Sequence, residues 1–120
     1  MSLEVHSITF DCQNAGELAR FWGAALNYDA RVGEIASFAI PPDGKLPRLL
    51  FLDVPEGKTA KNRVHLDILP SDSTMEEEVE RLVALGAQKV EVFELPYGAW
   101  TVMLDPEGNE FCIEKPDDSG

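Results

Sequence analysis

Basic residues are scarce in this chain. Ten Lys and Arg stand against 22 Asp and Glu, for a formal net charge of −12. Such a field repels phosphate backbones and anionic bilayers, so neither nucleic acid nor a membrane surface is an expected partner. Long apolar runs are also missing. Nothing approaches the roughly 20 residues of a membrane helix, or a signal segment, and a cytoplasmic location is the expectation. Cysteine is limited to Cys12 and Cys112, both inside strand patterns and without zinc-finger spacing, which predicts reduced, buried thiols. There is no Walker A loop, no dinucleotide-binding glycine pattern and no Gly-x-Ser-x-Gly elbow. Nucleotide chemistry and triad hydrolysis are therefore unsupported.

What the chain does contain is one unit written twice. The first copy reads as a strand over Val5 to Cys12, a helix over Gly16 to Leu26, and later strands around a Pro42-Asp43-Gly44 turn. The second reads as a strand over Arg63 to Leu69, a helix over Met75 to Leu85, and strands around Pro106-Glu107-Gly108. Phe10 to Leu26 and Leu69 to Leu85 each span 16 residues. The expectation is one α+β domain over 1–120, built of module one (about 3–57) and module two (about 62–116). The polar stretch from Pro55 to Lys61 marks the junction. Two sheet-and-helix units that face each other create an interior where a small ligand binds.

The helices carry readable ends and faces. Asn14 with Glu17 has the spacing of a capping box, and Leu18, Phe21, Trp22, Ala25 and Leu26 form a stripe that lies on a sheet. In the second helix Met75, Val79, Leu82 and Val83 make the stripe. Glu76, Glu77 and Glu78 suit its N-terminal dipole, and Gly86 is its stop. Those acids, with Glu80 and the tail pair Asp117 and Asp118, are most simply a solvated surface. Segments 89–95, 99–104 and 110–114 complete the second sheet.

Alternation picks out the chemistry. His65 and Asp67 share the strand face opposite Val64, Leu66 and Ile68, so they point at a cavity or at solvent. As a lone histidine His65 reads first as a structural hydrogen-bonding residue and second as a base or metal ligand. His6 alternates with Ile8 and Phe10 and so belongs to the helix side. Thr9 and Asp11 belong to the other face. Cys112 shares a face with Glu110 and Glu114, and no base adjoins it in sequence. Phe38, Phe51, Tyr97 and Trp100 supply stacking surface for a pocket or, as strand aromatics often do, for the core. Lys61, Asn62 and Arg63 suit either a cavity rim or a solvated strand entry.

The strings DCQNAGELARFW, KNRVHLDI, ERLVALGA and LDPEGNEFC resemble the glyoxalase-like branch of the vicinal oxygen chelate superfamily, which includes glyoxalase I, extradiol dioxygenases and bleomycin-resistance proteins. The resemblance spans about residues 5–115. It implies two βαβββ modules forming a curved mixed sheet around a cavity, and a homodimer. In metal-binding members one ligand comes from the first strand and one from the last strand of each module. His65 falls on the first-strand position of module two, and Cys112 falls where the family places a glutamate. Leu50 or Leu52 occupies the last-strand position of module one, and His6 or Ser7 the first.

The resemblance so read implies a protein that binds a small organic molecule between its modules without the full metal site, as bleomycin-resistance relatives do. His65, Asp67, Thr9, Asp11 and Cys112 are the expected polar contacts, and Phe38, Phe51 and Trp100 the apolar walls. No cofactor is expected. The alternative is a metal-dependent lyase, isomerase or dioxygenase with His65 as ligand or base, its divalent ion held by His65, Cys112 and His6.

Overall fold

The computed structural model describes residues 2–116, so the acidic pair Asp117 and Asp118 lies outside the described residues. Contacts divide the chain into two compact units, residues 1–58 and 59–120. Unit 1 runs β1 (Ser7–Cys12), α1 (Ala15–Leu26), β2 (Asp29–Val32), β3 (Ala36–Ile40) and β4 (Arg48–Asp53). Unit 2 runs β5 (Leu66–Ile68), α2 (Met75–Leu85), β6 (Gln88–Leu95), β7 (Gly98–Leu104) and β8 (Glu110–Glu114). The strand orders are β1-β4-β3-β2 and β5-β8-β7-β6. In each unit the first strand pairs parallel with the last, and the remaining pairs are antiparallel. The sequence repeat is therefore a repeat of topology, βαβββ followed by βαβββ, in an α+β fold.

In unit 1 the helix start is fixed twice. Asn14 Oδ1 accepts from Glu17 N at 3.0 Å, and Asp53 Oδ1, from the end of β4, accepts from Ala15 N at 2.8 Å. Two N–H groups without helical partners are thereby satisfied. The helix ends at Asn27, whose φ of 59° is the left-handed conformation that asparagine tolerates. Between these ends Leu18, Ala19, Phe21 and Trp22 are buried. Phe10 of β1 lies 5.9 Å from Trp22 and 5.2 Å from Phe51, ring centroid to centroid, so an aromatic cluster fills the space between α1 and its sheet.

In unit 2 the Thr74–Glu77 capping box is complete. Thr74 Oγ1 accepts from Glu77 N at 3.0 Å and Glu77 Oε1 accepts from Thr74 N at 2.9 Å. Gly86, at φ 121°, ends the helix in a conformation closed to residues with a Cβ. Met75, Val79 and Leu82 are buried, but Val83 is 46% exposed. It was expected in the stripe; it lies at the open edge of the helix–sheet contact, lining a groove with Val79, Val92 and Thr101.

Two strands differ from expectation. The three-residue β5 replaces the longer Arg63–Leu69 strand, and Val64 and Leu69 are 77% and 64% exposed. The short, largely exposed β2 has no alternation to announce it. Among the described residues no helix is long and apolar enough to cross a membrane.

Candidate functional site in unit 2

Each sheet has a face under its helix and a face turned away. In unit 2 Thr101, Met103, Phe111 and Ile113 are buried on the helix side. Strand alternation then sends Trp100, Val102 and Leu104 of β7, and Glu110, Cys112 and Glu114 of β8, to the other side. These six residues line one cavity of about 760 Å³ with Lys61, His65, Asp67, Val90, Glu91 and Phe93. That volume falls within the ordinary range for a small-molecule site.

Register orders the floor into rows. Asp67 lies opposite Cys112, Cys112 opposite Val102, and Val102 opposite Glu91. One row along, Glu114 lies opposite Trp100 and Trp100 opposite Phe93. Trp100 and Phe93 stack, with centroids 5.5 Å apart and planes at 19°. The floor is thus polar on β5 and β8 and mostly apolar on β7 and β6.

The polar strip has an internal hydrogen-bond order. His65 Nδ1 is 3.0 Å from Asp67 Oδ1. A carboxylate only accepts, so Nδ1 is the donor in this bond. Cys112 is half-buried and also hydrogen-bonds to Asp67. Burial pushes its thiol pKa up to about 11, and the nearby carboxylates of Asp67 and Glu114 add to the rise against a small opposing pull from Lys61. Cys112 at neutral pH is a thiol, a weak nucleophile and a hydrogen-bond donor.

The loop between β7 and β8 sets this geometry. Asp105, which is buried, accepts from Glu107 N and Asn109 N, each at 2.9 Å, through one carboxylate oxygen. Asn109 Nδ2 donates to the other oxygen at 2.9 Å. Asn62 then donates to Asn109 Oδ1 and to Glu110 Oε1, both at 2.9 Å. The string DPEGN therefore works as scaffold, folding the hairpin and tying the segment before His65 to the start of β8. Asn62 belongs to this tie, a role that neither of its two sequence readings named.

His65, Asp67, Cys112 and Trp100 line this one cavity of unit 2. Thr9, Asp11 and Phe38 belong to unit 1, on the sheet face away from α1, and the Arg48 guanidinium carbon sits 5.6 Å from the Phe38 ring centre. Phe51 is corrected: it is fully buried beneath α1 and packs on Phe10, so it is core and not a pocket wall. Tyr97 is 84% exposed at the β6–β7 turn and lines no part of the cavity. His6 precedes β1, is exposed, and its ring bonds to Ser7 Oγ at 2.7 Å. Sequence reasoning missed Phe93, Val102, Leu104, Val90 and Glu91. Alternation from Trp100 predicts Val102 and Leu104. From Phe93 it reaches Glu91 but fails at Val90, because the register with β7 shifts between Lys89 and Glu91.

A family model described as the glyoxalase-like domain matches residues 7–114. The chain belongs to the glyoxalase-like domain family. This family sits within the vicinal oxygen chelate superfamily, and solved structures agree on the fold. A glyoxalase/bleomycin resistance protein/dioxygenase family enzyme from Burkholderia phytofirmans superposes with a TM-score of 0.76 at 16% identity, over 93% of this chain and 98% of that one. A fosfomycin resistance protein from Listeria monocytogenes, complexed with Mn(II) and 1S,2S-dihydroxypropylphosphonic acid, gives 0.75 at 13% identity, over 98% and 93%. A glyoxalase-related enzyme from Fulvimarina pelagi gives 0.68 at 21% identity, over 94% and 88%. No curated protein matches the chain in sequence. At these identities the likeness is one of fold.

The residues present also fit a divalent cation. His65, Asp67 and Cys112 offer nitrogen, oxygen and sulfur donors that all lie within 4.8 Å of one another. That set suits zinc or another borderline metal with a fourth position open. Binding through Cys112 requires the thiol to give up its proton, which its raised pKa opposes until a cation is close. His6, expected as a further ligand, is in the other unit and is not one of these three.

Proposed function

We propose that this glyoxalase-like protein binds a small organic molecule on the face of unit 2 turned away from α2. One observation carries the reading: a single cavity of about 760 Å³ joins the Trp100–Phe93 stack to the His65–Asp67–Cys112 strip. The stack receives a flat or apolar body, while the strip offers hydrogen-bond donors and acceptors of fixed orientation. In this reading the protein sequesters its ligand as a homodimer in the cytoplasm, in the manner of a resistance protein. The test is a ligand screen followed through the Trp100 indole resonance and by titration calorimetry. A hit whose affinity falls at least about tenfold in both Trp100→Ala and His65→Ala supports the site. A hit indifferent to both substitutions overturns it. Light scattering checks the dimer.

A second reading rests on the clustering of His65, Asp67 and Cys112. With a divalent ion held by these three, the protein is a metal-dependent lyase, isomerase or dioxygenase. Such an ion supplies Lewis-acid polarisation of a substrate oxygen. His65 and Asp67 orient the ion, and the Trp100–Phe93 wall orients the substrate. Elemental analysis after loading with zinc, nickel, manganese or iron(II) and dialysis tests it. About one ion per chain, lost in His65→Ala, favours this reading over sequestration.

A further inference from the structure

Four carboxylates line the unit 2 cavity, those of Asp67, Glu91, Glu110 and Glu114. The cationic side chains facing it are Lys61 and, when protonated, His65. The negative charge is also placed against aromatic surface. Register sets Trp100 between Glu114 on β8 and Phe93 on β6, and Glu91 lies one row away opposite Val102. An indole face attracts a cation through its quadrupole, and a carboxylate beside that face adds Coulomb attraction to the same point. A neutral ring would gain only the stacking, and an anion would meet repulsion from both.

Resting on the proposed ligand-binding role of this face, we infer that its ligand is an organic cation. Specifically, the geometry points to a protonated or quaternary amine attached to an aromatic or alkyl body. The ammonium sits over Trp100 beside Glu114, and the body lies along Phe93, Val102 and Leu104. Bonds already made leave this arrangement intact: Glu110 is engaged by Asn62 N and Asp67 by His65, whereas Glu91 and Glu114 flank the apolar strip. The inference assigns Glu114 and Glu91 as selectivity residues. Neither was singled out as a binding residue from the sequence.

Four probes of similar size separate the outcomes: benzylamine, phenyltrimethylammonium, benzyl alcohol and benzoate, titrated at neutral pH while the Trp100 indole signal is observed. The expected order is both cations tightest, benzyl alcohol weaker, and benzoate weakest. Cation affinity should fall about 3- to 10-fold in Glu114→Gln, fall less in Glu91→Gln, and weaken as salt rises. Both variants change the sheet surface and not its core, and their circular dichroism should match the parent protein. Benzoate or benzyl alcohol binding as tightly as the cations would overturn the inference and leave the binding site standing. Unchanged cation affinity in Glu114→Gln would also overturn it. Absence of any Trp100 response to all four probes up to their solubility would remove the site reading, and the inference with it.

Discussion

Units 1 and 2 repeat one topology but place their aromatic residues differently. In unit 1 Phe10, Phe21, Trp22 and Phe51 gather between α1 and its sheet, and Trp22 and Phe51 are fully buried. In unit 2 the helix side is closed by Met75, Val79, Leu82, Met103, Phe111 and Ile113. There the stacked pair, Phe93 and Trp100, stands on the opposite face. The difference follows from what each helix brings. Phe21 and Trp22 on α1 fill the space over the sheet, whereas α2 carries glutamates around a narrow stripe of Met75, Val79 and Leu82. Rings moved to the open face are available to a ligand. Unit 1 uses most of its aromatic residues for packing under its helix, and the ligand-binding proposal rests on unit 2.

The largest effect that tests this contrast comes from matched truncations. Phe51→Ala should cost about 3–5 kcal/mol in unfolding free energy, since it empties a fully buried aromatic site. Phe93→Ala, at a side chain 38% exposed, should cost far less and act mainly on ligand binding. Equal losses in denaturant melts would break the contrast. Next in size is the helix cap. Thr74→Ala removes one arm of a capping box on the helix with the thinner apolar stripe and should cost about 1 kcal/mol, with amide exchange rising first in α2.

Cys112 provides a pH-resolved test confined to unit 2. Its thiol pKa is raised from 9.0 to about 11, so the folded state holds that proton more tightly than the unfolded one. This contribution is complete below pH 9 and is lost as pH rises towards about 11. Alkylation of folded protein should be slow at neutral pH and accelerate only towards that upper value. Asp67→Asn should lower the pKa and speed the reaction at pH 8–9. Alkylation at the rate of a model thiol would contradict the placement of Cys112. The smallest effect belongs to Arg81, whose exposed pairing with Glu78 at 2.9 Å holds that carboxyl below its usual range against the effect of burial. Arg81→Ala should change stability by no more than about 0.5 kcal/mol, less at high salt.

Much of unit 2 could be read from sequence because its signals are local. Alternation placed His65 with Asp67 and Cys112 with Glu110 and Glu114. The family position of His65 and Cys112 directed attention to one strip. Phe51 was misplaced as a pocket wall because a strand aromatic reads the same whether its face lies under a helix or opposite one. Only the Phe10–Phe51 and Phe10–Trp22 contacts decide that. The bulge hid Val90 as a cavity residue, since an inserted residue resets a period of two without leaving a composition signal. β2 escaped because a short exposed strand has no apolar periodicity to display.

The sequence by itself determined the duplicated α+β plan, the helix caps, the turn positions and the face on which most site residues lie. Most of these depend on interactions between residues a few positions apart, the cap that Asp53 supplies to Ala15 being the exception. The tertiary structure alone decided that Asp67 bridges His65 and Cys112, that Trp100 stacks on Phe93 beside Glu114, and that Asn62 ties the His65 segment to β8. Those contacts join strands separated by up to 48 positions. Their geometry is set by sheet register, which a periodic pattern constrains only to alternate residues and never to one partner.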